Sequence, residues 1–297
     1  MSASPLLVLQ YLDGIPPFVI YIISGVFGAI IGSFLNVVIH RVPRDESIVL
    51  PNSRCPSCGA TIAFYDNIPI LSYALLGGKC RGCGKPISFR YPAVELLTSL
   101  LFVAVAWRDG LSPALPFDLI FATGIVALIF IDAEHFILPN VITYPGMVFA
   151  VVARIALPFL TGATHFDDVP SLMHGTLGTM PLWVVSIVGA FIGALVGGGS
   201  LWLMGWTWEK LRGIEAMGLG DVKMMFMVGA YLGWRLTILT IFLSVLTGSL
   251  IGIVLMLRQK ERNMQMLLPF GVFLGMGAIL ALLFGSRIVE WYAGQFR

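Results

Sequence analysis

The feature that most constrains the fold is a series of long apolar runs, each close to the ~20 residues that a helix needs to cross a bilayer. Of the 297 residues, 58% are hydrophobic and only 11% are charged, which excludes an ordinary soluble domain. The runs predict about eight transmembrane helices, at residues 18–39, 92–107, 116–131, 139–160, 182–204, 222–236, 237–257 and 268–287. The Gly233-Trp234-Arg235 break favours two helices over one in the stretch 222–257. We therefore expect an all-α polytopic membrane protein.

The distribution of Lys and Arg predicts the orientation, because cytoplasmic loops carry an excess of these residues. With eight spans, four connections share one side of the membrane, and with their flanks they hold thirteen of the eighteen Lys and Arg residues. These connections are residues 40–91, 132–138, 205–221 and 258–267. They are predicted to be cytoplasmic, with both termini on the opposite side. The first apolar run has no cleavage-site pattern and is interpreted as an anchor rather than a signal peptide.

Two aspartates lie at the ends of predicted spans, where a charged side chain is costly and is uncommon without a function. Asp132 follows the apolar run 118–131, and Asp221 opens another run within Gly218-Leu219-Gly220-Asp221. Both fall at predicted cytoplasmic helix ends, at similar depth. Two carboxyl groups so placed can act as a general acid and a general base, which points to an aspartyl protease at the membrane surface.

Each aspartate also has a structural interpretation. Asp221 is a good helix N-cap residue, and Asp132 could cap or precede the helix that starts after Leu138-Pro139-Asn140. Glu134 competes with Asp132 as a catalytic carboxylate, although it is farther from the hydrocarbon edge. The neighbouring His135 is expected to face solvent.

The residues around Asp221 are candidates for an active-site loop. Gly218 and Gly220 would let a substrate backbone approach the carboxylate closely. Lys223 could pair with a carboxylate or extend its ammonium to the membrane interface, and the second interpretation is favoured. Glycines 197–199 lie in a predicted span without a preceding strand, so close helix packing is favoured over nucleotide binding.

All four cysteines lie in the long loop 40–91, as Cys55-Pro-Ser-Cys58-Gly and Cys80-Arg-Gly-Cys83-Gly. This pattern is typical of tetrahedral thiolate coordination of zinc, and four thiolates with no open position predict a structural site. Two disulfides or four idle thiols are the alternatives, and a reducing cytoplasm disfavours the first. We expect three parts: an N-terminal transmembrane helix at 1–39, a small zinc-stapled cytoplasmic loop domain at 40–91, and a multi-helix membrane peptidase domain at 92–297.

Taken together, these motifs resemble the type IV prepilin peptidases, membrane enzymes of the GxGD aspartyl protease class, over nearly the whole chain. The segments that carry the resemblance are Gly32-Ser-Phe-Leu-Asn-Val-Val-Ile-His-Arg-Val-Pro43, Asp66-Asn-Ile-Pro-Ile-Leu-Ser-Tyr73, Gly78-Lys-Cys-Arg-Gly-Cys83, Ile87-Ser-Phe-Arg-Tyr-Pro-Ala-Val-Glu95, Ile131-Asp-Ala-Glu-His-Phe-Ile-Leu-Pro139, Glu215-Ala-Met-Gly-Leu-Gly-Asp-Val-Lys223 and Leu268-Pro-Phe-Gly-Val-Phe-Leu274. No single one of these segments would be convincing alone, whereas seven of them in order over one topology are specific.

The resemblance implies catalytic aspartates at Asp132 and Asp221, and zinc ligands at Cys55, Cys58, Cys80 and Cys83. It also implies two reactions. The basic leader of type IV prepilins and prepilin-like pseudopilins is cleaved at the cytoplasmic face of the bacterial inner membrane. The new amino terminus, often Phe, is then methylated with S-adenosylmethionine. Both termini would then be periplasmic. No nucleic acid partner is expected, and the oligomeric state is left open.

No Rossmann-type glycine fingerprint appears in the sequence, so an unconventional site for S-adenosylmethionine is expected. Gly78 and Lys79, beside Cys80, are the candidates for the methyl-transfer site.

Three rival functions are compatible with a polytopic membrane protein that has a cysteine loop. A peptidase without methyltransferase activity would use the zinc loop only for substrate recognition. An ion-coupled transporter would place its carboxylates near mid-membrane, often within repeated halves, whereas these lie at span ends and no repeat is visible. A scaffold for pilus assembly would leave both aspartates unexplained.

Overall fold

The structure is a computed structural model of the chain, and it describes residues 16–164, 179–213, 217–258 and 268–295. These residues form nine α-helices and no β-strand. The α-helices are α1 (Pro17–Arg41), α2 (Leu71–Leu75), α3 (Arg90–Asp109), α4 (Leu115–His135), α5 (Asn140–Thr161), α6 (Leu182–Ala194), α7 (Ser200–Arg212), α8 (Leu219–Arg258) and α9 (Phe270–Gly294). The described residues also contain two short 3₁₀ turns (Val42–Arg44 and Phe64–Asn67), a π-helical segment (Leu195–Gly199) and two isolated antiparallel β-bridges, Arg54 with Thr61 and Lys79 with Pro86.

The predicted all-α membrane architecture is confirmed. Seven helical segments of the described chain are long and apolar enough to span a bilayer. The longest, α8, has 40 residues and would be ~60 Å long if straight, about twice the thickness of the hydrocarbon core. Its backbone is non-helical at Gly233, with φ 78° and ψ 170°. This kink divides α8 into two segments, as the Gly-Trp-Arg break predicted, and gives eight apolar segments within the described residues.

The chain divides into two compact units, and the division falls inside α4, between Thr123 and Gly124. In the first unit, α1 packs along α3 through small residues. A Cβ atom at Gly28 would lie 2.9 Å from Phe102 Cβ, and one at Gly32 would lie 2.7 Å from the Cα atom of Glu95. The two backbones therefore approach closely because these positions are glycine. The three-part division made from the sequence stays a prediction.

In the second unit, α8 is the central element and packs against α5, α6, the π-helical segment and α9. Gly193 of α6 and Gly229 of α8 touch through their backbones, since a Cβ atom on either would collide with the carbonyl oxygen of the other. Gly197 of the π-helical segment approaches the carbonyl oxygen of Met225, and Gly198 approaches the ring of Phe226. The predicted packing role is thus confirmed for Gly197 and Gly198, whereas a Cβ atom on Gly199 would meet only Leu195 of the same segment, at 3.8 Å.

The predicted helix boundaries are mostly extended by a few residues. The largest difference is at the fifth span, which continues through the π-helical segment and α7 to Arg212 rather than ending at residue 204. Both chain termini, Glu215 and most of the predicted connection 258–267 lie outside the described residues.

Candidate active site and metal centre

Asp132 lies in the last turn of α4, and its carboxylate is bonded by a residue of another helix. Asp132 is only 5% exposed. The backbone amide of Val272, at the start of α9, donates a hydrogen bond to Asp132 Oδ2 at 3.1 Å. The preceding residue, Gly271, has no side chain to interfere, and a Cβ atom there would lie 2.8 Å from the same oxygen. The start of α9 therefore provides both a hydrogen-bond donor and the space that this carboxylate needs. Asp132 caps neither its own helix nor the next, which begins after Pro139.

Asp221 lies in the first turn of α8. The helix begins at Leu219, so the alternative of an N-cap role for Asp221 is wrong, and its amide instead donates to the carbonyl oxygen of Gly218 at 3.1 Å. An acidic side chain in the first helical turn is favoured by the helix dipole. Asp221 is half-buried.

The structure brings the two aspartates into one neighbourhood. The Asp132 carboxylate is near enough to Asp221 for the two charges to interact. Leu138, in the connection after α4, packs between their flanking glycines. A Cβ atom at Gly220 would lie 3.0 Å from Leu138 Cβ, and one at Gly271 would lie 3.1 Å from Leu138 Cδ1. One apolar side chain thus joins the start of α8 to the start of α9, each beside an aspartate.

The two glycines before Asp221 differ in their surroundings. Gly220 is needed for the contact with Leu138, so its lack of a side chain has a packing reason. A Cβ atom at Gly218 would lie 3.7 Å from Asp221 Oδ2, at ordinary contact distance, and Gly218 is exposed. Only Gly218 therefore fits the expectation of an open approach to the carboxylate.

Three other polar residues near the two aspartates differ in their exposure and bonding. Glu134 is exposed, in contrast to Asp132. The His135 side chain is 24% exposed and its Nε2 is buried, so the expectation that it faces solvent is wrong for most of the ring. Lys223 Nζ donates to Asn140 Oδ1 at 2.9 Å and lies 5.3 Å from the centre of the Tyr144 ring. It therefore links the first turns of α8 and α5, rather than extending freely to the membrane interface.

The four cysteines form one cluster in the first unit. Their Sγ atoms all lie within 4.8 Å of one another, and Cys55 Sγ is 3.9 Å from Cys83 Sγ. Sulfurs placed tetrahedrally at ~2.3 Å from a zinc ion are ~3.8 Å apart. The cluster therefore has the size and donor set for one tetrahedral metal ion.

The two cysteine pairs share one backbone pattern. In each, the amide of the first cysteine donates to the carbonyl five residues later, and the glycine after the second cysteine donates back, all at 2.9 Å. Those glycines, Gly59 and Gly84, have φ of 71° and 69°, in the left-handed region that favours glycine. The predicted Cys-x-x-Cys-Gly geometry is thus present twice.

Hydrogen bonds from backbone amides change the pKa of two of the thiols. The amides of Ser57 and Cys58 lower the pKa of the Cys55 thiol to about 6, against the opposing effect of burial. At Cys58 the amide of Ala60 also favours the thiolate, but Cys55, burial and Cys83 outweigh it and raise the pKa to about 11. Metal ligation requires the thiolate form of cysteine, so a bound cation would favour that form at these ligands.

The candidates for the methyl-transfer site, Gly78 and Lys79, lie between α2 and the second cysteine pair. Gly78 has φ 68°, and a Cβ atom there would lie 3.0 Å from the Tyr73 ring. Glycine at this position therefore has a folding reason that requires no cofactor. Lys79 is exposed.

Sequence reasoning missed the residues that hold Asp132 in place. Gly271 and Val272 belong to the Leu-Pro-Phe-Gly-Val-Phe-Leu segment, which was noted but given no role. Leu138 belongs to the segment that follows Asp132. The available signal was a proline followed by a glycine at the start of an apolar run, which marks a helix start beside a closely approaching group.

Two family models match the chain one after the other. Residues 26–109 match the family model described as the bacterial peptidase A24 N-terminal domain, and residues 119–253 match the type IV leader peptidase family. No solved structure matches the chain.

Several curated relatives carry the name prepilin leader peptidase/N-methyltransferase. The protein of Pseudomonas aeruginosa is 36% identical, with 89% of this chain and 90% of the relative covered. That of Aeromonas hydrophila is 36% identical, with 98% and 99% covered. That of Myxococcus xanthus is 43% identical over 78% of this chain and 62% of the relative. The chain therefore belongs to the type IV leader peptidase family.

Proposed function

We propose that this protein is a prepilin leader peptidase and N-methyltransferase of a bacterial inner membrane. The observation that supports the proposal is that Asp132 lies near enough to Asp221 for their charges to interact, in a family member aligned with such enzymes over almost its full length. The proposed substrates are type IV prepilins and pseudopilins.

In the proposed cleavage step, the two aspartates share the work of general acid and general base. One carboxylate removes a proton from the attacking water, and the other, protonated, polarises the scissile carbonyl group. Two neighbouring carboxylates in a low-dielectric setting do not both ionise easily, which keeps one proton on the pair. The pair titrates as a unit. Val272 and Gly271 support this role by fixing one carboxylate without adding a second charge.

The exposed Gly218 provides the open side of the proposed site. A substrate backbone beside Asp221 would meet no side chain at this position. Lys223, tied to Asn140 and Tyr144, is proposed to hold the first turns of α8 and α5 in register rather than to take part in proton transfer.

We assign the four-cysteine cluster to one structural zinc ion. Sulfur donors at these separations favour zinc, and four protein ligands leave no open position for chemistry. The metal would supply folding free energy to a loop that has little apolar core of its own.

For methylation, Gly78 and Lys79 stay the proposed cofactor-binding residues. The exposed Lys79 ammonium suits the carboxylate group of S-adenosylmethionine, and this cofactor supplies the methyl group that the new pilin amine accepts. The chain's own task is to bind the amine and the cofactor together and to let the amine lose its proton.

The membrane topology is proposed from the charges alone. The excess of Lys and Arg places the loop 40–91 and the ends of α4 and α8 that carry the aspartates on the cytoplasmic side, with periplasmic termini.

The decisive experiment combines purified protein in detergent with a prepilin, followed by mass spectrometry of the product. Loss of the leader without added cofactor, and a further gain of one methyl group when S-adenosylmethionine is present, are expected. Cleavage without methylation would show a monofunctional peptidase. An intact prepilin in both reactions would contradict the proposal.

A further inference from the structure

Glu95 is a buried carboxylate that the proposed chemistry leaves unused. It lies in α3, one of the membrane-spanning helices, and is 8% exposed. Its Oε2 accepts a hydrogen bond from the backbone amide of Ile70 at 2.7 Å, and the Ser33 hydroxyl of α1 bonds the same carboxylate. Glu95 is therefore a junction between two membrane helices and the cysteine-bearing loop. A carboxylate in a spanning helix is costly enough that such a junction calls for a functional reason.

The residue that Glu95 holds has a strained backbone. Ile70 has φ 62° and ψ −49°, a conformation that is rare for a β-branched side chain. The amide of Leu71 donates to the carbonyl oxygen of Pro69 at 2.5 Å, so Ile70 is the centre of a three-residue γ-turn with positive φ. Such strain persists only where the surroundings fix it, and it concentrates at functional positions. The Glu95 carboxylate accepts the amide at the centre of this turn and so links the turn to α3.

From Ile70 the chain leads directly to the candidate methyl-transfer residues. Helix α2 starts at the next residue, Leu71. The amide of Gly78 donates to the carbonyl oxygen of Tyr73 in α2 at 2.9 Å, and the amide of Ile87 donates to the carbonyl oxygen of Gly78 at 2.7 Å. Helix α3, which carries Glu95, begins three residues after Ile87. Hydrogen bonds and the chain itself therefore connect Glu95 to the Ile70 turn, the turn to α2, α2 to Gly78, and Gly78 back to the residues just before α3.

A second anchor fixes the other end of the same segment. Arg81, inside the second cysteine pair, donates to both carboxylate oxygens of Asp66 at 2.8 and 2.7 Å. The Arg81 guanidinium lowers the pKa of Asp66, so the pair stays ionised at neutral pH. Asp66 therefore ties the segment to the metal cluster, while Glu95 ties it to the membrane helices.

We propose that Glu95 is a positioning residue for methyl transfer. It aligns the segment 66–79 with the membrane helices through the Ile70 amide, and so sets the orientation of Gly78 and Lys79. This inference rests on the proposed function, because it assigns Glu95 to one of the two proposed activities. Leader cleavage, which uses residues of the second unit, does not require the Ile70 turn.

The structural half of the inference is tested by hydrogen–deuterium exchange in the zinc-loaded, detergent-solubilised protein. Glu95→Ala is expected to speed amide exchange in peptides covering residues 66–78, and to leave the first cysteine pair, residues 52–62, unchanged. Ser99→Ala is the matched control, since it removes a hydrogen bond between α3 and the Gly25 carbonyl oxygen at 2.8 Å without touching the loop. Unchanged exchange at 66–78 in Glu95→Ala would overturn the inference.

The functional half uses a pre-cleaved pilin and labelled S-adenosylmethionine. Displacing a binding group by about 1 Å can cost ~100-fold in rate, so Glu95→Ala is expected to lose 10- to 100-fold in kcat/KM for methylation, mainly through a higher KM for the cofactor. Cleavage of intact prepilin should stay within ~3-fold of wild type. Glu95→Gln should retain methylation within ~3-fold, because its amide oxygen still accepts the Ile70 bond.

The pattern of outcomes separates this inference from the proposed function. If wild type methylates pilin and Glu95→Ala does so equally well, the positioning role is wrong while the function stands. If Glu95→Gln loses methylation with unchanged exchange, the charge itself acts and positioning is again wrong. If wild type does not methylate at all, the methyltransferase proposal fails. Should Glu95→Ala not accumulate, Ser33→Ala removes one partner of the same carboxylate and must show the same selectivity in a smaller degree.

Discussion

Asp132 and Glu134 are two residues apart, yet Asp132 is buried and accepts a hydrogen bond from Val272 at the start of α9, whereas Glu134 is exposed. If the proposed acid–base pair is correct, Asp132→Asn and Asp221→Asn should each lower prepilin cleavage by at least ~100-fold, because an amide can neither remove nor donate the required proton. Cleavage rates in detergent, read by mass spectrometry, measure the effect.

Glu134→Gln is the matched control for this test, since it makes the same chemical change on an exposed neighbour. It should cleave at close to the wild-type rate. Near-normal cleavage by either aspartate variant, in protein that inserts and purifies normally, would reject the aspartyl mechanism.

Gly271 offers a test of the geometry around Asp132 that leaves both carboxyl groups in place. Gly271→Ala puts a methyl group 2.8 Å from Asp132 Oδ2, so the carboxylate must move away from the Val272 amide. We expect a loss of ~10- to 100-fold in cleavage, as for small displacements of catalytic groups. Gly124→Ala in α4 is the control, because nothing lies within 4 Å of its added Cβ atom. Equal activity of the two variants would show that the α9 contact does not position Asp132.

For single residues, the sequence predicts which side chains are candidates for catalysis better than it predicts which groups they form hydrogen bonds with. Asp132 stands out because a carboxylate at the edge of an apolar run is costly, a local property. Its bond to Val272 joins residues 140 positions apart, and no local pattern encodes such a contact. Glu95 was not singled out from the sequence, and its bond to the Ile70 amide joins residues 25 positions apart.

Among the elements, the crossing of α6 and α8 depends on two glycines. A Cβ atom on Gly229 would collide with the backbone of Gly193, so Gly229→Ala must push the helices apart. Overpacking of this kind costs ~1–3 kcal/mol. Thermal unfolding in detergent should show a lower midpoint for Gly229→Ala than for Gly248→Ala, whose Cβ atom in the same helix meets Phe273 at an ordinary 3.5 Å. An equal midpoint for the two variants would contradict the proposed close crossing.

The cysteine cluster gives a prediction about a loop element. We expect one zinc ion per chain, and none after Cys55→Ser combined with Cys58→Ser, because two sulfur donors alone do not complete a tetrahedral site. Ser57→Ala, between the same two cysteines, should keep its metal. Elemental analysis of protein purified without chelators measures the content. Full occupancy in the double variant, or no metal in wild type, would contradict the assignment.

The sequence predicted those helices and kinks that depend on the composition of a short stretch of chain. Apolar runs located the spans, and Gly233 located the kink in α8, because glycine readily adopts the positive φ found there. The extension of the fifth span to Arg212 was not foreseen, since it carries Trp, Lys and Glu residues that lower its hydropathy. The π-helical segment was also missed, because its wider turn depends on the contact with α8 rather than on composition.

For the whole molecule, the proposed sites fall in different units, with the cysteine cluster and Glu95 in the first and the aspartate pair in the second. This division makes the family's two activities physically separable in principle. A comparison of full-length relatives alone would not show it, since their names give both activities together.

The separation leads to a prediction about removing zinc and about changing an aspartate. Stripping the metal should lower methyl transfer more than cleavage, because it unfolds the loop that carries Gly78 and Lys79. Asp132→Asn should fail to cleave prepilin yet still methylate a pre-cleaved pilin, since that step needs no water activated by the pair. Both proteins are assayed with pre-cleaved pilin and labelled S-adenosylmethionine, and zinc-loaded wild type is the control. If Asp132→Asn folds, keeps its zinc and still cannot methylate this substrate, the two sites are not independent. The aspartate pair would then have to take part in methyl transfer as well.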